Sequence, residues 1–131
     1  MTDSTPDTGL SSIGQISVNV KDLDRAVAFY RDLLGMRFLF TAPPQMAFFD
    51  CGGIRLLLGV PESPEFDHPA SIIYYRVDDI QATYEDLKGR GIPFLDEPHL
   101  VHRGEGYELW MAFFRDSEEN VLALMSEVHT A

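Results

Sequence analysis

Residues 20–35 read Val20-Lys21-Asp22-Leu23-Asp24-Arg25-Ala26-Val27-Ala28-Phe29-Tyr30-Arg31-Asp32-Leu33-Leu34-Gly35. Leu23, Ala26, Val27, Tyr30, Leu33 and Leu34 recur at helical spacing and make one apolar stripe, as a helix lying on a core requires. Asp22 stands where an N-cap belongs, because its carboxylate can accept the orphan N–H groups of the first turn. Gly35 closes the helix, since glycine tolerates the left-handed conformation of a C-terminal stop. Upstream, Ile16, Val18 and Val20 alternate with Gln15, Ser17 and Asn19, the period of a half-buried strand. The chain therefore opens strand, then helix.

The same pattern returns. Val77-Asp78-Asp79-Ile80 repeats Val20-Lys21-Asp22-Leu23, and Gly91-Ile92-Pro93-Phe94-Leu95 echoes Gly35-Met36-Arg37-Phe38-Leu39. Met46-Ala47-Phe48-Phe49 recurs as Met111-Ala112-Phe113-Phe114, and Ile54-Arg55-Leu56-Leu57 aligns with Val121-Leu122-Ala123-Leu124. Four matches in one order define an internal repeat. Each copy reads as strand, helix and three strands. Asp79 caps the second helix, Ile80, Tyr84 and Leu87 supply its stripe, and Gly89 or Gly91 ends it. Asp50-Cys51-Gly52-Gly53 and Asp116-Ser117-Glu118-Glu119-Asn120 are the expected hairpin turns. The second copy carries a longer loop, Pro98 to Glu108. The expected layout is a leader over 1–12, disordered by composition, a first module over 13–60, a linker over 61–69 rich in proline, and a second module over 70–128. The class is α+β: two βαβββ modules in tandem, their curved mixed sheets enclosing a cavity, within one chain or across a dimer.

The chain has 131 residues, 10 Lys plus Arg against 21 Asp plus Glu, and a formal net charge of −11. An acidic chain without a basic stripe repels phosphate backbones, which excludes nucleic acid as the expected partner. The longest apolar run, Leu109 to Phe114, is far short of the ~20 residues a membrane helix needs. Met1 to Ser12 has neither a basic start nor an apolar core, so no targeting segment is read there. Cys51 is the sole cysteine, which excludes an intrachain disulfide and points to a reducing, cytoplasmic setting.

The stretch from Val20 to Gly35, with Val77-Asp78-Asp79-Ile80 and Phe114-Arg115-Asp116-Ser117-Glu118-Glu119-Asn120, resembles the vicinal oxygen chelate superfamily of glyoxalases, bleomycin-resistance proteins and extradiol dioxygenases. The resemblance implies the tandem fold. It also implies a divalent metal, held by His, Gln or Glu side chains on paired strands and polarising substrate oxygens. Carried onto this chain, the four ligand positions fall on Gln15, Ile72, Ala123 and, by the internal repeat, Leu56. Isoleucine, leucine and alanine have no lone pairs, so the expectation is no metal and no other cofactor. The warrant for a glyoxalase or dioxygenase goes with it.

Alternate residues from those positions give the expected ligand-binding lining: Gln15, Ser17 and Asn19; Ile54, Leu56 and Leu58; Ile72, Tyr74 and Arg76; Val121, Ala123 and Met125. The family's frame adds Tyr107, Leu109, Met111 and Phe113. An apolar concavity with a few polar groups is the character of a small-molecule site. Arg76 would clamp an anion or bind one of the chain's own acids. Trp110 and Phe114 are read as core. His102 is a further candidate, as general base or as part of a relocated site with His99, Glu105 and Glu108.

The expected function is a metal-free small-molecule-binding protein, a homodimer in the cytoplasm, sequestering an apolar, aromatic or cationic compound. The rival is a lyase, isomerase or hydrolase of the same fold, acting on a small oxygenated substrate around His99–Glu108. A third alternative is a regulatory module without a ligand.

Overall fold

The structure is a computed structural model and describes residues 9–130. Most of the expected leader lies outside the described residues. Strand β1 (Gln15–Asn19) leads into helix α1 (Leu23–Ala28), which continues as a wider π turn over Phe29–Leu33. Three strands follow: β2 (Arg37–Ala42), β3 (Met46–Cys51) and β4 (Ile54–Gly59). The linker holds one short 3₁₀ turn, Pro64–Phe66. Pro64 sits at the first position of that turn, where a missing N–H costs nothing. The second copy runs β5 (Ile73–Arg76), α2 (Ile80–Gly89), β6 (His99–Gly104), β7 (Tyr107–Arg115) and β8 (Val121–His129).

The strands form two four-stranded mixed sheets, ordered β1-β4-β3-β2 and β5-β8-β7-β6. The two orders are the same permutation, so the internal repeat is structural. In each sheet the outer strand before the helix pairs parallel with the last strand, and the other pairs are antiparallel. Both caps are made: Asp22 Oδ1 accepts from the Arg25 N–H at 3.1 Å and Asp79 Oδ1 from the Ala82 N–H at 3.0 Å. Gly35 and Gly91 both take positive φ where the helices stop. Gly52 and Gly53 do the same in the β3–β4 hairpin, so that turn accommodates two left-handed residues in succession.

One face of each sheet carries its helix, and the core lies there. Val18, Val20, Tyr30, Phe49, Leu56 and Leu58 from the first copy join Ile80, Tyr84, Leu87, Phe114, Leu122 and Leu124 from the second in a single apolar cluster. Phe114 is core as expected, and Trp110 packs partly buried against the same cluster. The copies are also tied by polar groups. The Tyr30 hydroxyl donates to Asp116 Oδ2 at 2.7 Å, deep in the interior. Burial, and next the Asp116 carboxylate, push the Tyr30 phenol far above its ordinary range, so it remains a donor. Glu118, on the turn of the second copy, accepts from the N–H groups of Lys21 and Asp22 at 2.7 and 3.1 Å and from the Arg25 guanidinium at 3.0 Å. The second copy's turn thus holds the start of the first copy's helix.

Each sheet's other face carries no helix and stays open. The sheets share no strand pairing and do not close on each other within one chain. The enclosure expected from the sequence is therefore not made by these two sheets alone.

Candidate functional site on the open sheet faces

Register decides which side chains reach the open faces. In the first sheet Gln15 stands beside Arg55, Ser17 beside Leu57 and Asn19 beside Gly59. Across β3 the same rows continue to Asp50, Phe48 and Met46. Leu56 is 3% exposed and belongs to the core. The expected placement of Leu56, with Ile54 and Leu58, in the ligand lining is thus corrected: these residues turn to the helix side. The reason is the two-residue period of a strand, in which a shift of one residue moves every side chain to the other face. The sequence match of Leu56 with Ala123 is one residue out of step with the strand register. Ser17 pairs with Leu57 as Tyr74 pairs with Ala123, so Leu57 is the true counterpart of Ala123.

The sequence did carry a signal for this. Arg55 is the only charge between Ile54 and Leu58, and a charged residue inside an apolar strand marks the face that does not meet the core. Three further residues of the open face went unread. Phe48 and Phe40 stack at 4.7 Å, and the Arg55 guanidinium lies 5.6 Å from the Phe48 ring centre. A concavity of about 240 Å³ on this face is lined by Ser17, Asn19, Met46, Leu57 and Phe66, among others. Asn19 already has work there, because its amide donates to the carbonyls of Phe66 and His68 at 2.6 and 3.0 Å and pins the linker.

The second sheet brings the expected residues onto one surface. Tyr74, Ala123 and Phe113 form one row across β5, β8 and β7, and Arg76, Met125, Met111 and His99 form the next. Ile72 lies just before β5 and is exposed. Ala123 is too small to separate its neighbours, so the Tyr74 and Phe113 rings meet over it edge to face, 5.9 Å apart, and bury it completely. The His99 ring stacks on Phe113 at 6.4 Å.

Residues 98–108 were expected to be a loop and are mostly strand β6 and a tight turn. A bulge at Val101 shifts the register between Leu100 and His102, so His99 and His102 share the open face despite their spacing of three. His102 lies 5.9 Å from the Tyr107 ring. The acids of this stretch do not join them. Glu108 receives the Arg103 guanidinium at 3.1 Å and the Trp110 indole N–H at 3.2 Å. Among the described residues no three His, Cys, Asp or Glu side chains converge as a metal ion needs. The Cys51 thiol is pushed up by burial and by Asp50, which keeps it protonated and unreactive.

Two βαβββ copies of one topology, each with an open sheet face, define the class of this fold. The sequence matches the family described as the Glyoxalase/Bleomycin resistance protein/Dioxygenase superfamily over residues 12–124, and the chain belongs to it. It is 27% identical over 124 residues to the uncharacterized protein YraH of Bacillus subtilis (strain 168), a match covering 84% of this chain and 94% of that one. The crystal structure of lactoylglutathione lyase from Agrobacterium tumefaciens is similar with a TM-score of 0.70 and 26% identity, covering 89% of this chain and 94% of that chain. A superfamily member from Sphaerobacter thermophilus DSM 20745 reaches a TM-score of 0.73 at 21% identity, over 89% and 98% of the two chains.

The fit of the family's metal can be tested on the donors. Gln15 stands diagonal to Leu57, as Ile72 stands diagonal to Ala123, so the four corners are equivalent in the two sheets. Correcting Leu56 to Leu57 leaves the chemistry unchanged: one neutral amide and three aliphatic side chains. Such a set cannot replace the hydration shell of a divalent ion. The residues at the four positions that the resemblance assigns do not fit the metal.

Proposed function

We propose that this chain is a metal-free small-molecule-binding protein of the glyoxalase and bleomycin-resistance type, working as a homodimer in a reducing, cytoplasmic setting. It sequesters a small apolar or aromatic compound between open sheet faces. The observation that carries this is the set of four corners, of which Leu57, Ile72 and Ala123 are hydrocarbon and only Gln15, a neutral amide, has lone pairs. Similarity to a lactoylglutathione lyase does not bring that activity here, because Lewis-acid catalysis needs donors that these positions lack.

The dimer is supported by what one chain leaves uncovered. Ile72, Tyr74 and Phe40 are 45%, 43% and 45% exposed on the open faces. Exposed apolar side chains on a sheet face, such as Ile72 and Tyr74 two residues apart, mark interaction sites. A small-molecule site also needs walls on more than one side to bury its ligand. A second copy laying its first sheet over this chain's second sheet supplies them.

Light scattering and thermal denaturation test the proposal together. The expected mass is that of two chains, and a neutral aromatic such as 2-naphthol raises the melting temperature while Ni²⁺, Zn²⁺ and Mn²⁺ do not. A monomer, or stabilisation by a stoichiometric metal ion, overturns it.

A further inference from the structure

We propose that the compound held on the second sheet is an aromatic anion, an aryl carboxylate, with Arg76 receiving its charge and the Tyr74–Phe113 pair receiving its ring. This presupposes the binding function above and adds the ring class and the sign of the charge.

The chain has about twice as many acids as bases, and four of its ten Lys and Arg side chains meet carboxylates. Arg25, Arg31, Arg90 and Arg103 each pair with one at 2.8 to 3.1 Å. Arg76 makes no ion pair among the described residues, and its cross-strand neighbour is Met125. Arg37 and Arg55 differ, because Asp50 lies between them in register, and Arg115 donates to the Glu119 carbonyl at 3.1 Å. An arginine without an acid, in a chain with acids to spare, leaves its planar fork of donors for a ligand.

The surroundings specify the rest of that ligand. Arg76 and Tyr74 lie two residues apart on one face of β5, about 7 Å along the strand, so a ring beside Tyr74 has its carboxylate within reach of the long Arg76 side chain. Beside them Met111 and Met125 offer adaptable apolar contact. Phe113 already meets Tyr74 edge to face, and a planar ring adds to such a pair in the same geometry. The nearest acid along β8 is Glu127, about 13 Å from Ala123, while Asp96, which accepts from the Phe113 N–H at 2.8 Å and lies 3.5 Å from His99 Nδ1, stands beyond β7, at the opposite end of the row from Arg76. The overall charge of −11 does not reverse this. At physiological salt, charges beyond about 8 Å are largely screened, and the local arginine decides.

The test is an amide NMR titration of the full chain near neutral pH with 2-naphthoate, 2-naphthol and 2-naphthylmethylammonium. The expected result is that naphthoate moves the amides of Tyr74, Phe113 and Ala123 and binds about tenfold more tightly than the ammonium compound. Arg76→Gln lowers naphthoate affinity about tenfold and leaves naphthol within about twofold, while Arg76→Lys recovers part of the loss. If naphthol binds at these amides but naphthoate binds no better, the charge assignment is wrong and the binding function stands. Equal weakening of naphthol and naphthoate by Arg76→Gln also overturns it. If none of the three moves these amides, the binding function itself fails and takes the assignment with it.

Discussion

Replacing Tyr30 with phenylalanine removes one oxygen from the joint between the two copies. The lost hydrogen bond, 2.7 Å long, runs from a buried phenol to Asp116, a residue only 4% exposed. Hydrogen bonds to charged groups contribute about 1.5–3 kcal/mol. Asp116 keeps three other donors, the N–H groups of Glu118 and Asn120 at 2.8 and 2.9 Å and the Asn120 amide at 3.0 Å, so it is not stranded. The cost therefore falls near the lower end, about 1.5–2 kcal/mol. With a urea m-value of about 1.5–2 kcal/mol/M, the midpoint drops by about 1 M. Because burial raises the Tyr30 phenol, its hydrogen bond persists below the ordinary tyrosine range and weakens only far above it. The loss is accordingly the same at pH 7 and pH 9. The double variant with Asp116→Asn should show strong coupling between the two positions. A midpoint shift below about 0.3 M, or additive effects, refutes the idea that this pair locks the copies together.

Leu56→Ala and Leu57→Ala separate the two faces of β4: the first deletes core volume and costs about 2–5 kcal/mol, the second under about 1 kcal/mol, read from urea midpoints. Comparable losses would contradict the register. Burial works to raise the Glu118 carboxyl, but the Lys21 N–H, the Arg25 guanidinium and the Asp22 N–H outweigh it and hold it below the usual range. Its contribution is therefore complete above the unfolded value near ~4.3 and is lost as pH falls through the lower folded value. Wild type should exceed Glu118→Gln in stability at pH 7 and converge with it near pH 3, measured by denaturant titration at each pH. Gly104→Ala drives a new Cβ into the Tyr107 ring, so it should displace that ring and cost about 1–3 kcal/mol, seen as a lowered midpoint and shifted Tyr107 resonances.

The fold was legible because each copy states its elements in side chains that have few alternatives. The Asp22 and Asp79 caps, the Gly35 and Gly91 stops and the alternation of Ile16, Val18 and Val20 all act locally, and each appears where it was read. The second open face was legible for the same reason, since Tyr74 and Arg76 alternate with the core residues Ile73 and Tyr75. The first was not read correctly, because Ile54-Arg55-Leu56-Leu57 is apolar on both faces except at Arg55, and similarity to the second copy was followed instead of parity. Residues 98–108 failed for a different reason. Glycines at 104 and 106 suggested a loop, but only Gly106 takes positive φ, while Gly104 stays in the strand beneath the Tyr107 ring. The bulge that brings His99 and His102 to one face depends on pairing with β7, a contact between strands that no local spacing encodes.

The most direct test of the central claim is the metal content of the purified, dialysed protein, compared with a variant carrying Leu57→Glu, Ile72→His and Ala123→Glu. Donors restored at these corners, with Gln15 retained, should let the variant keep close to one Ni²⁺ or Zn²⁺ per chain, while wild type keeps almost none. Stoichiometric metal in wild type, or a variant that folds as wild type does and still binds none, would show that the corners have been misplaced or misread.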